Sequence, residues 1–156
     1  VDLAAAVHAA RGDGEREDLL TLDEFARRSG VPASLIQAVE REGIKLGRTV
    51  EGIERYTTAD IDMVRAALRL LEFGLPLGEL LSLARDANDA MVRLANRAVE
   101  MFDEHVRRPI ADTAASDDAA ASQLVEAFDS LLPAVTNLVA NHFRRVLLAE
   151  AEDRLR

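Results

Sequence analysis

Apolar positions along this chain recur at three- and four-residue spacing over most of its length, the pattern of amphipathic helices. Leu22, Phe25 and Ala26 mark a short helix through Arg28. It opens on Thr21 with Glu24 three residues later, a capping box in which each side chain can satisfy a free amide. Ser29-Gly30-Val31-Pro32 predicts a tight turn, because Gly30 can take positive φ and Pro32 suits a helix start. A second helix from Ala33 to Glu42 carries Leu35, Ile36 and Val39 on its inner stripe and stops at Gly43. Two short helices about a glycine turn are the helix-turn-helix pattern. The period then changes. Two β-leaning stretches, Ile44 to Val50 and Ile53 to Thr57, flank Glu51-Gly52 and predict a small hairpin. Thr57 and Asp60 form a second capping signature, starting a helix to Phe73 with Ile61, Val64, Leu68 and Leu71 inward and Gly74 as its stop.

Pro76 restarts a helix through Ala84. From Asp86 to Arg108 the residues Met91, Leu94, Ala98, Phe102 and His105 form one apolar stripe, predicting a rod of about 33 Å that Pro109 ends. Thr113 to Ala121 is small and acidic, a linker or N-cap region led by Asp117 and Asp118. Leu124, Phe128 and Leu131, then Val135, Leu138, Val139, Phe143, Val146 and Leu147, predict two last helices broken near Pro133. At the other end, Leu3 to Ala10 suits a helical turn or two and Arg11 to Asp18 a linker. The expected fold is mainly α. Its parts are an N-terminal segment (1–19), a helix-turn-helix head with a small β-hairpin (20–84), a long amphipathic helix (85–109) and C-terminal helices (110–156).

Composition narrows the chemistry. A chain of 156 residues holds one ordinary domain or two very small ones. Aromatics are only 4%, with no Trp and one Tyr, so the core is aliphatic. Eight Gly and four Pro leave few turns, which argues against a many-stranded sandwich or barrel. Cysteine is absent, which excludes disulfides, thiolate metal sites and cysteine catalysis and fits a reducing cytoplasm. The net charge of −9 excludes a generic nucleic-acid or anionic-membrane binder, so DNA binding requires a local basic surface. No run reaches the roughly 18 apolar residues of a membrane span, so no membrane partner is expected. The chain opens on Val1 rather than Met and reads as a processed or excised fragment.

Residues 20 to 84 resemble the MerR-type transcription regulators. The resemblance is carried by Leu22-Asp-Glu-Phe-Ala-Arg-Arg-Ser-Gly-Val31, Glu40-Arg-Glu-Gly43, Arg55-Tyr-Thr-Thr-Ala-Asp60 and Leu71-Glu-Phe-Gly-Leu-Pro-Leu77, in that order. It implies a winged helix-turn-helix that dimerises through an antiparallel coiled coil after the head, with a C-terminal region that senses an effector. The stripe from Met91 to His105 stands where that rod belongs. Two departures bear on DNA. Where the family carries Arg-Tyr-Tyr before Glu-Arg-Glu-Gly, this chain has Gln37-Ala38-Val39, and where the wing carries Gly-Tyr-Arg it has Gly52-Ile53-Glu54. From Leu20 to Leu81, eight basic residues stand against ten acidic ones, a net charge of −2.

Gln37 and Arg41 are one helical turn apart, with Ser34 on the same side. On a recognition helix Arg41 would reach a guanine edge or a phosphate, and Gln37 an adenine. Lys45, Arg48 and Arg55 in the hairpin would sit on phosphates and set register, with Tyr56 beside them and Glu51 and Glu54 opposing. The bland alternative is a solvated helix face and an ordinary wing. His8, His105 and His142 are isolated, without a second ligand at metal spacing, and His105 reads as a packed rod residue. No nucleophile–base pair or phosphate-binding glycine loop stands out, so no enzyme activity, cofactor or metal is expected. The expected function is a cytoplasmic, dimeric, DNA-binding regulator. Lacking thiolates, it would take a small organic effector or a protein partner. The alternative is a degenerate winged helix used for dimerisation or protein docking without DNA binding, which an intact DNA-binding head upstream of Val1 would favour.

Overall fold

The helix pair predicted at the start of the head forms as α1 (Leu22–Ser29) and α2 (Ala33–Arg41). The computed structural model describes Ala4, Ala6, Val7, Ala10 and residues 19–156. Those four early residues are helical; His8 and the predicted linker from Arg11 to Asp18 lie outside the described residues. Thr21 caps α1 by accepting from the Glu24 amide at 3.2 Å, while Glu24 accepts the Thr21 hydroxyl at 3.1 Å rather than its amide. Gly30 closes α1 at φ 78°, and its amide donates to the Ala26 carbonyl. Ser29 is buried but satisfied: its hydroxyl donates to the Ala26 carbonyl and accepts from the Val31 amide.

The hairpin is β1 (Arg48–Val50) and β2 (Ile53–Arg55), antiparallel, paired Arg48 to Arg55, Thr49 to Glu54 and Val50 to Ile53. Its two-residue loop, Glu51 and Gly52, has φ of 52° and 79°, the positive pair that matches strand twist. Tyr56 continues β2 and exchanges both backbone hydrogen bonds with Leu20, tying the wing to the start of the head. α3 (Thr58–Glu72) opens on the complete capping box of Thr57 and Asp60. α1, α2 and α3 close over Leu20, Phe25, Val31, Ile36, Tyr56, Ile61 and Val64. Phe25, Ile36, Ile61 and Val64 of that set match the helical spacing, whereas Leu20, Val31 and Tyr56 lie outside the helices.

α4 (Leu77–Phe102) differs from expectation: the helix restarted after Pro76 does not stop near Ala84 but runs unbroken into the rod. Nothing from Arg85 to Asn88 can break it, since no Gly or Pro stands there. Pro109 does not end the helical path either. A π turn, Asp103–Arg107, precedes α5 (Arg108–Thr113), and Pro109 falls in the first turn of α5, where a missing amide costs least. Ser116 caps α6 (Asp117–Asp153), accepting from the Ala119 amide at 3.1 Å, with Asp117 and Asp118 in its first turn. The break predicted near Pro133 is absent: α6 continues through it. One turn on, the Thr136 hydroxyl donates to the carbonyls of Leu132 and Pro133.

The chain forms two compact units, Asp13–Val99 and Glu100–Arg156 with Val1–Gly12. In the second, Ala6, Ala120 and Leu124 are buried, and the rings of Phe102 and Phe128 meet edge to face at 5.6 Å.

Candidate nucleic-acid interface

α2 is fixed from behind by Ile36, fully buried, with Leu35 packed beside it. Its inner side also borders an apolar hollow of about 210 Å³ against Val64, Leu68 and Leu81. This burial determines what the helix offers to solvent. Ser34, Gln37 and Arg41 are all exposed, at the i, i+3 and i+7 positions of one face. A shallow notch lined by Gln37, Glu40 and Arg41 marks the same surface. The face therefore carries one cation, one amide and one hydroxyl, the functional groups that read base edges.

In the wing, side chains alternate between faces along each strand. Arg48 and Arg55 are direct partners across the ladder and share a face with Val50 and Ile53. Both arginines are half-buried. Arg55 also donates to the Glu54 carbonyl at 3.0 Å. Lys45 is exposed, and its ammonium donates to the Thr49 hydroxyl at 3.3 Å.

Glu54 lies with Thr49 on the other face of the hairpin, the face that Tyr56 continues. One Glu54 oxygen accepts the Thr49 hydroxyl at 2.7 Å, and the other is buried without a hydrogen-bond partner. The acid predicted to oppose phosphate beside Arg48 and Arg55 is thus turned away from both.

Tyr56 requires a correction. Its side chain cannot reach DNA, since it is buried, stacked flat on Phe25 at 4.4 Å and 2° between planes. Its hydroxyl donates to Glu40 Oε1 at 2.7 Å. Burial first, and then the Glu40 carboxylate, pushes the phenol well above its ordinary value. Gly47 makes room for the ring. A Cβ there would lie 2.6 Å from the Arg55 carbonyl oxygen and 2.8 Å from the Tyr56 ring.

Two acids of the Glu40-Arg-Glu-Gly43 motif are connectors. Glu40 links α2 to the wing through Tyr56, and Glu42 pairs with Arg85 of α4 at 2.9 Å. Glu40 stands three residues from Gln37, so its position near the outer face was legible; its partner, sixteen residues away, was not.

Residues 20–85 match the family model described as the MerR HTH family regulatory protein. This head is of MerR type. Heads of this family are DNA-binding elements of transcription regulation. No curated protein matches the chain. Within the head, the exposed face of α2 stands on the second helix of the helix-turn-helix, and the arginine pair on the hairpin that follows it.

Of the predicted rod residues, Met91 and Leu94 are about half exposed on α4, and Ala98 is partly covered. Phe102 ends α4 and packs on Phe128, and His105 falls in the π turn with its side chain 69% exposed. His105 is therefore not packed within its own chain. Beside it, hydrogen bonding from Arg107 holds the Asp103 carboxyl below its usual range, with Arg108 at 3.5 Å adding to the effect. Among the described residues, no group of His, Asp or Glu has metal-binding geometry and no helix is long and apolar enough to cross a membrane.

Proposed function

We propose that this chain is a homodimeric regulator of transcription that binds DNA through its MerR-type head. α2 would lie in the major groove, with Arg41 and Gln37 on base edges and Ser34 on the backbone. Lys45, Arg48 and Arg55 would hold phosphates and set register. The rod of α4 would pair two copies, and residues 110–156 would receive a small organic effector or a protein partner. The observation that carries this reading is the outward face of α2, with Ser34, Gln37 and Arg41 together and exposed. No residue of α4 is fully buried in the single chain, which supports a rod that packs against a second one.

A second reading has its own support. The head carries a net charge of −2, and Glu40 and Glu42 flank Arg41. Under that reading the head has lost DNA binding and docks to another protein. Titration of the purified chain against a fragment carrying its own promoter, over a series of salt concentrations, separates the two. The regulator reading expects binding that weakens steeply with salt and that Arg41→Ala impairs. The docking reading expects no binding at any salt concentration.

A further inference from the structure

α6 is stabilised over only part of its length by its own chain. Ala120 and Leu124 are buried, but every residue from Asp129 to Arg156 except Val139 is exposed. This is a helical run of about 40 Å with almost nothing packed on it. It is not a polar helix. Phe143 is 60% exposed, Val146 42%, Leu132 43% and Val135 41%. Most helical stability in proteins comes from packing an apolar face rather than from propensity.

The order of these residues selects the partner. At 100° per residue, Leu132, Val135, Val139, Phe143 and Val146 fall within roughly 40° either side of Val139 as a central stripe, Leu131 and Leu147 flank it at about 80° to either side, and Leu138 and Leu148 fall outside this face. The stripe reads the same in both directions: Val135 and Phe143 lie four residues either side of Val139, and Leu132 and Val146 seven. Such a helix is complementary to itself when run antiparallel, the condition for a contact through a two-fold axis.

We infer that the stripe Leu132–Val146 of α6 pairs antiparallel with the same stripe of a second copy, the two-fold axis passing at Val139. The layers are then Val139 on its counterpart, Val135 on Phe143, and Leu132 on Val146. Two such faces bury on the order of 1,000 Å², which reaches the lower bound for a specific interface. Glu150, one turn beyond Val146, closes the stripe at that end, and Arg144 and Arg145 fall outside it. This contact uses residues other than those of the α4 rod.

The absence of cysteine gives a direct test on the full chain, because one introduced thiol is then unique. Under mild oxidation Val139→Cys should form a disulfide-linked dimer. Leu131→Cys should not, because the two copies of residue 131 would lie about 24 Å apart along the helices. Adding Phe143→Asp to Val139→Cys should abolish the link and, by sedimentation, weaken the α6 association about a hundredfold. Phe143 is mostly exposed in its own chain, so this variant leaves the chain's own packing intact. Equal linking at residues 131 and 139, no linking at 139, or linking that survives Phe143→Asp would each overturn the proposal.

Discussion

The hydroxyl of Tyr56 donates to Glu40 at 2.7 Å, and this bond joins the wing to the end of the helix whose outer face is proposed to read DNA. The two elements are held by a core contact. Tyr56 stacks on Phe25 below the bond, and Leu20 pairs with it from the side. Losing the hydroxyl would therefore loosen the wing relative to α2 without emptying the core. Tyr56→Phe should cost roughly 1.5–3 kcal/mol of stability by denaturant titration, the range for a hydrogen bond to a charged group.

The same phenol makes stability depend on alkaline pH. Its folded pKa is raised above the unfolded value of 10.0, so the folded state holds this proton more tightly. The contribution is fully present below pH 10.0 and is lost as pH rises beyond it. Tyr56 is the only tyrosine, so tyrosinate absorbance reports this one site. In an alkaline titration, absorbance and helix loss should rise together, well above the ordinary phenol range. A simple titration near pH 10.0 with the helices intact would contradict the placement of the ring.

Gly47 is constrained by contact rather than by backbone angle. A methyl group there meets the Arg55 carbonyl and the Tyr56 ring, and the carbonyl is backbone that cannot rotate aside. Gly47→Ala should destabilise the head by about 1–3 kcal/mol, the range for overpacking. Gly52→Ala meets no neighbour and should act only through its positive φ, costing about 1 kcal/mol. Thermal melts of the two variants side by side test the ordering.

Much of the head was legible in the sequence. Thr21, Gly30, Thr57 and the Glu51-Gly52 loop fixed element ends because each acts on its immediate neighbours. The outer face of α2 followed from the burial of Leu35 and Ile36 by simple periodicity. Tyr56 was misplaced because a tyrosine in a basic wing and a tyrosine in a core look alike until the partners on α1 and α2 are known. Glu54 was read by its charge, and only the strand register puts it on the face opposite Arg48 and Arg55. Pro109 and Pro133 predict helix ends on local grounds alone. A π turn before the first and strong helix formers around the second kept the helical path going.

The rod proposal concerns α4. Met91 and Leu94 are two of its exposed apolar positions, with Leu83, Val92, Val99 and Met101 exposed as well, whereas Phe102 already packs on Phe128. Met91→Asp together with Leu94→Asp should weaken self-association by sedimentation and leave the helical content unchanged. A sedimentation pattern identical to that of the parent would contradict pairing through this face.

The two cation sets should behave differently toward DNA. Arg48→Ala removes a phosphate contact, so affinity should fall alike on all sequences and the salt slope should flatten by about one unit. Arg41→Ala should cost roughly 1–3 kcal/mol on a preferred site and relax base preference there. Gel shifts on matched and scrambled sites at two salt concentrations distinguish these outcomes.

The wing acid offers the most direct test of DNA binding by this head. Glu54→Arg exchanges a carboxylate for a cation and gives up the Thr49 hydrogen bond, an exposed interaction of about 1 kcal/mol. Fluorescence anisotropy of labelled promoter DNA, titrated with the parent and with Glu54→Arg across a salt series, measures the consequence. The account predicts that both bind at low salt and that the variant, whose new cation lies on the hairpin face away from Arg48 and Arg55, adds no phosphate contact and keeps the parent's salt slope. Undetectable binding by both proteins at low salt would contradict DNA recognition by this head.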